Sequence, residues 1–211
     1  IPETLLNLPG CFSSRLRAPN CSTTPIGDYY LTNRNCPYTR AILERAVEGS
    51  YNYLSALFGA EACSAMERME EHFEQISPVK HDPFVTTIID APLKNDRAAL
   101  VYYMNELRDK VLANLATLGI DTSDDALLAA IKDHNEVSAI ITEIGDFRKL
   151  DNPTVTGYEF PLIQLVSEVC PHRLILPYLR ETLEEIRDRA PDAKPEFRAR
   201  VILAGSEIDD P

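Results

Sequence analysis

The run Phe84-Val85-Thr86-Thr87-Ile88-Ile89 limits the fold more than any other stretch, because it is mostly β-branched and is closed off by Pro83 on one side and Ala91-Pro92 on the other. It predicts a strand, with Asp90 at its carboxyl end. Upstream, short apolar or aromatic runs at Cys11 to Leu16 and Tyr51 to Phe58 predict two further strands. Helical patterns fall at Ile1 to Leu8, at Pro37 to Val47 and after Ser64, where Ser64-Ala65-Met66-Glu67 has the spacing of a capping box. Strands alternating with amphipathic helices are the signature of a parallel sheet covered by helices. The fold class expected is therefore α/β, with a Rossmann- or flavodoxin-like parallel sheet flanked by helices.

After Arg97 the period changes. Leu100, Met104, Leu107, Val111, Leu115 and Leu118 recur every three or four residues until Gly119, and Thr122-Ser123-Asp124 starts a second long helix that contains His134. Two more helices are expected over residues 157–169 and 177–189, with Pro161 and Pro177 in their first turns. Three parts result. Residues 1–97 form an α/β lobe, residues 98–190 a helical part packed on it, and residues 191–211 a linker (Asp192 to Arg200) leading into a strand at Val201 to Ser206. That strand has the composition of one that feeds a helix, so it is expected to be the first strand of a second α/β lobe in a longer protein.

Lys and Arg number 21 against 33 Asp and Glu, a net charge of -12, which argues against nucleic acid or an anionic membrane as partner. There is no apolar run of membrane-spanning length and no signal-peptide pattern. Five cysteines without a CxxC pair do not resemble a secreted disulfide framework, and a reducing cytoplasm is the expected location. No GxGxxG, Walker loop, GxSxG or HExxH occurs. The four histidines, His72, His81, His134 and His172, show no short metal-ligand spacing and receive no role. Glu67, Glu70, Glu71 and Glu74 read as a solvated helix face, and Arg15, Arg17 and Arg34 as a weak basic mouth for a phosphate.

Two cysteines stand apart. In Asn35-Cys36-Pro37-Tyr38-Thr39-Arg40, proline at the first helical position makes Cys36 the N-cap, and Cys63 precedes the helix beginning at Ser64. A helix start favours negative charge, so a sulfur placed there suits a nucleophile or a metal ligand, or it is simply a small buried apolar group. Both positions are expected on the sheet rim where ligands of open α/β folds bind. Cys11 and Cys21 are expected to be structural, and Cys170, before Pro171, to sit at a helix junction.

The start Ile1-Pro2-Glu3 with Leu5-Leu6, the Asn35 to Arg40 segment, Cys63 before a helix containing Arg68, Phe84 to Lys94, and Ala204-Gly205-Ser206-Glu207-Ile208-Asp209-Asp210-Pro211 together resemble the 2-hydroxyacyl-CoA dehydratase family, which includes the related subunits of benzoyl-CoA reductase. The resemblance implies a subunit of two α/β lobes that holds a 4Fe-4S cluster on three cysteines, with Cys36 and Cys63 matching the first two and the third lying beyond Pro211. It implies an enzyme, the first lobe alone being inactive, with a homologous partner subunit, an ATP-dependent iron–sulfur activator protein and an acyl-CoA substrate. One electron delivered to the thioester gives a ketyl radical anion, which makes an otherwise non-acidic β-proton removable and allows (R)-2-hydroxyacyl-CoA to become enoyl-CoA. An open iron position would serve as Lewis acid, and in the reductase branch the electron would enter an aromatic ring. Ser64 departs from the family, which often has aspartate after the second cysteine. The readings left beside this one are a cluster-free α/β interaction or nucleotide-binding subunit, and a thiol enzyme using Cys36.

Overall fold

A computed structural model of the chain describes residues 3–61, 63–191 and 201. The expectations for 192–200 and for the strand beyond Val201 lie outside the described residues. The described part is a mixed α/β structure, with helices α1 (Glu3–Leu6), α2 (Pro25–Leu31), α3 (Pro37–Val47) and α4 (Ser64–Ile76), and strands β1 (Ala56–Ala60) and β2 (Val85–Ile89). Then follow α5 (Arg97–Glu106), a π-helical turn (Leu107–Leu112), α6 (Ala113–Thr117), α7 (Asp124–Phe147), α8 (Glu159–Val169) and α9 (His172–Asp188).

The sheet is smaller than expected. β1 and β2 pair in parallel, Ala56 opposite Val85 and Ala60 opposite Ile89, and they are the two strands of the described sheet. Cys11 to Leu16 forms no strand, because other elements take its backbone groups. The Arg15 N–H donates to the Glu168 carbonyl (2.9 Å), Tyr38 Oη donates to the Leu16 carbonyl and Arg173 Nη2 donates to that of Cys11 (3.3 Å). The Tyr51 to Phe58 strand is displaced to Ala56–Ala60, since Tyr51 is buried in a turn and its hydroxyl donates to the Arg17 carbonyl (2.7 Å). Helix α2 has no counterpart in the sequence reading.

Three apolar clusters organise the packing. α2, α3 and α4 share one, built on Leu31, Ile42, Leu43, Ala46, Met69 and Phe73. Leu8, Ile89, Val111, Leu115 and Ala130 join the N-terminal segment, β2, the π turn, α6 and α7 in a second. α7, α8 and α9 close over a third, with Val137, Ile144, Phe160, Leu176 and Leu183. The long helical stretch ends where the sequence places its stop, Gly119 taking the left-handed conformation (φ 80°) that favours glycine. Helix α9 starts five residues before the expected 177, so Pro177 is an interior residue rather than a first-turn one. It is exposed, and so is Arg173, whose carbonyl loses its helical donor to the proline and can be met by water.

Candidate metal-ligand cysteines and the sheet rim

Every residue of the Asn35 to Arg40 segment has a structural task. Pro37 opens α3 and Cys36 is its N-cap, as the sequence predicts. Asn35 Oδ1 accepts the Cys36 N–H (2.9 Å) and the buried Thr39 hydroxyl donates to the Cys36 carbonyl (2.9 Å), which clamps the cysteine backbone from both sides. Tyr38 reaches back to Leu16, and Arg40 pairs with Asp28 and donates to Thr24 Oγ1 (3.2 Å). The half-buried Cys36 side chain is left with a free sulfur.

What precedes Cys36 differs from expectation. The element before it is helix α2, not a strand, and its amino end is held from α3. Glu44, only 4% exposed, accepts the N–H groups of Ile26 (2.7 Å) and Gly27 (2.8 Å), two donors that no turn of α2 could satisfy. α2 and α3 touch backbone to backbone there, since a Cβ on Gly27 would lie 2.3 Å from the Arg40 carbonyl oxygen. The sequence signal was Pro25 at a helix start, but the capping acid lies 18 residues further along.

Cys63 does follow a strand. β1 ends at Ala60, the Glu61 N–H extends the ladder to the Ile89 carbonyl (2.9 Å), and Cys63 is the N-cap of α4, its carbonyl accepting the Met66 (3.1 Å) and Glu67 (3.2 Å) N–H groups. The helix begins one residue earlier than a Ser64 cap requires, so the Ser64–Glu67 capping box is replaced by a cysteine cap. Cys63 is exposed and its sulfur is free. The two cysteines thus occupy the same position on two helices that share one core, with Tyr38 and Met66 of their first turns both packed on it.

The acidic run on α4 is not uniformly solvated. Glu70 is 1% exposed, and neither carboxylate oxygen has a hydrogen-bond partner among the described residues. Burial, reinforced by Glu74 and Glu67, pushes its carboxyl up to about 8. It fits only because residue 59 is glycine, where a Cβ would fall 1.1 Å from Glu70 Oε1. A carboxylic acid kept neutral near pH 7 can give up or take a proton there.

Beyond β2, Asp90 is already engaged. Its N–H donates to Glu106 Oε2 (3.1 Å) and its carboxylate accepts the Tyr102 hydroxyl (2.7 Å), a bond that leads in pushing the Tyr102 phenol up to about 12. An open depression of about 480 Å³ follows, lined in part by Pro92, Lys94, Arg97 and Tyr103. The basic mouth expected from Arg15, Arg17 and Arg34 does not form around Arg15, which pairs with Glu168 of α8 (2.8 Å). Cys11 packs against the second cluster, where burial raises its thiol against the opposing effect of Arg173. Burial likewise leads in raising the Cys21 thiol. Cys170 ends α8 just before Pro171, at the junction the sequence predicts.

Among the described residues, one set of three possible metal-ligand side chains converges, Glu3, His134 and His172, and no cysteine belongs to it. Separated by 38 positions, the two histidines have no ligand spacing that the sequence displays. The signal lay in α7, where His134 falls on the apolar stripe of Ala126, Ala130, Val137 and Ile144.

The family model of the 2-hydroxyglutaryl-CoA dehydratase D-component matches residues 1–211. The chain belongs to this family. The assignment makes it a component of a dehydratase-type enzyme that works with a partner subunit. No curated protein matches the chain. In the family's setting the two free, helix-capping cysteines fit a cluster in kind, being soft sulfur donors outside any disulfide. No helix among the described residues is long and apolar enough to cross a membrane.

Proposed function

We propose that the chain is the first, Rossmann-like lobe of an iron–sulfur subunit in an ATP-activated radical enzyme that dehydrates (R)-2-hydroxyacyl-CoA to enoyl-CoA. The observation that carries the reading is the repeated arrangement at Cys36 and Cys63, free sulfurs at the N-caps of α3 and α4, in a chain of this family. Cys36 and Cys63 are two ligands of a 4Fe-4S cluster whose remaining cysteine lies beyond residue 211. When bound, the cluster supplies low-potential electron transfer and a Lewis-acidic iron. Asn35 and Thr39 hold the Cys36 backbone in place, and the positive end of each helix dipole favours the negative charge of the site. Lys94 and Arg97, in the depression past β2, are cations suited to the phosphates of a CoA ester.

The test uses the full-length protein with its partner subunit, purified without oxygen. Iron and sulfide should be present, and Cys36→Ala and Cys63→Ala should each remove most of both, together with dehydration of a 2-hydroxyacyl-CoA in the presence of activator and ATP. Absence of iron from the intact protein, with Cys36→Ala changing nothing, would overturn the reading.

A further inference from the structure

We propose that Glu3, His134 and His172 form a binding site for a single divalent transition metal ion of the zinc class, which ties the N-terminal segment to α7 and α9. Their donor atoms, one per residue, lie within 4.8 Å of one another. His172 Nε2 is 3.6 Å from Glu3 Oε1, too long for a hydrogen bond. It is close to the separation of roughly 3.4 Å that two ligands have across a tetrahedral ion with bonds of about 2.1 Å. The imidazoles of His134 and His172 lie 5.2 Å apart between ring centres. Two histidines and one carboxylate are a familiar three-ligand zinc set, which leaves a fourth position for water or another ligand.

The surroundings point the same way. His172 is 2% exposed, and its Nδ1, like that of His134, is buried with no hydrogen-bond partner among the described residues. Neither ring is committed to a hydrogen bond through Nδ1, and Nε2 of His172 is the nitrogen that faces Glu3, so a ring nitrogen is left to give its lone pair to an ion. The position of the set is also fixed from outside it. The buried Asn7 side chain donates to the Glu3 carbonyl (3.1 Å) and accepts the His172 backbone N–H (3.0 Å), so one amide locks α1 to the start of α9. Next to it, Leu8 packs with Ala126 and Ala130, which puts α7, and with it His134, against the same segment. These backbone contacts hold the three elements that carry the set in one place.

No cysteine belongs to the set, and its test leaves the iron–sulfur reading untouched. Full-length protein freed of metal is titrated with Co2+ without oxygen. The expected result is one equivalent with the visible spectrum of nitrogen and oxygen ligation, lacking thiolate-to-cobalt charge-transfer bands, and displaced by Zn2+. Glu3→Ala and His134→Ala should each weaken binding by more than the roughly 10- to 100-fold that loss of an outer partner costs. Zinc should raise the thermal midpoint of the wild type but not of Glu3→Ala. The Glu3 side chain is 43% exposed, so Glu3→Ala decides the question if His134→Ala does not fold. A titration showing only thiolate-ligated cobalt, or an affinity that Glu3→Ala leaves unchanged, would overturn the proposal.

Discussion

The sheet side of the molecule takes carboxylates into its interior, at Glu44 and Glu70, while the α7–α9 unit keeps its charges outside an apolar seam. In the helical unit, Arg180 pairs with Glu136 (2.5 Å) and Arg187 with Glu143 (2.6 Å) on the surface, and Arg189 with Glu159 (2.7 Å) at a half-buried position. Such pairs steer register and add little stability. On the sheet side the two acids behave oppositely at similar depth. Glu44 accepts two backbone amides and so creates the start of α2, whereas Glu70 accepts nothing from the described residues and is held neutral. The contrast teaches that the half carrying the cysteines buries carboxyl groups, whereas the helical half keeps its carboxylates in outer ion pairs and buries imidazole nitrogens instead, at His134 and His172.

Breaking the cap should have the largest effect. Glu44→Ala leaves the Ile26 and Gly27 amides without their acceptor and should cost roughly 2 to 4 kcal/mol, read as a lowered urea midpoint. Glu70 sharpens the contrast through pH. Its folded-state carboxyl titrates near 8 against an ordinary value of 4.5, so between those limits the unfolded chain releases a proton that the folded chain keeps. Stability is highest below about pH 4.5 as far as this group is concerned, falls through the window and levels off above 8. Glu70→Gln should flatten that descent by about 1 kcal/mol per pH unit in urea titrations from pH 5 to 8. An unchanged slope would mean that Glu70 is not the group responsible. The smallest effect belongs to the helical unit, where Arg187→Ala should cost less than about 1 kcal/mol and should lose even that in high salt.

What was legible in the sequence follows the range of the forces involved. The extent of α3, from Pro37 to Val47, and the cysteine at its N-cap were readable because their signals are local. So was β2, whose β-branched run needs no distant help. The family resemblance was legible too, in short motifs whose order along the chain is specific. The rest depended on partners far along the chain. Cys11 to Leu16 has strand composition, yet Tyr38, Glu168 and Arg173 claim its backbone groups. Glu70 looks like its three acidic neighbours until Gly59 is brought against it. His134 and His172 are unremarkable until α1, α7 and α9 meet.

The π-helical turn between α5 and α6 has a consequence for phase. Tyr103, Leu107, Val111 and Leu115 are spaced by four, and in a regular α-helix each step of four runs ahead by about 40°. Three such steps would swing the line a third of the way around the axis. The wider winding of Leu107–Leu112 takes up that advance, so all four residues meet one core. The turn therefore works as a vernier. It lets the upper end of the rod keep Tyr102 on Asp90 at the sheet rim while the lower end stays seated, and a chain one residue shorter at this point would hold one alignment only by giving up the other.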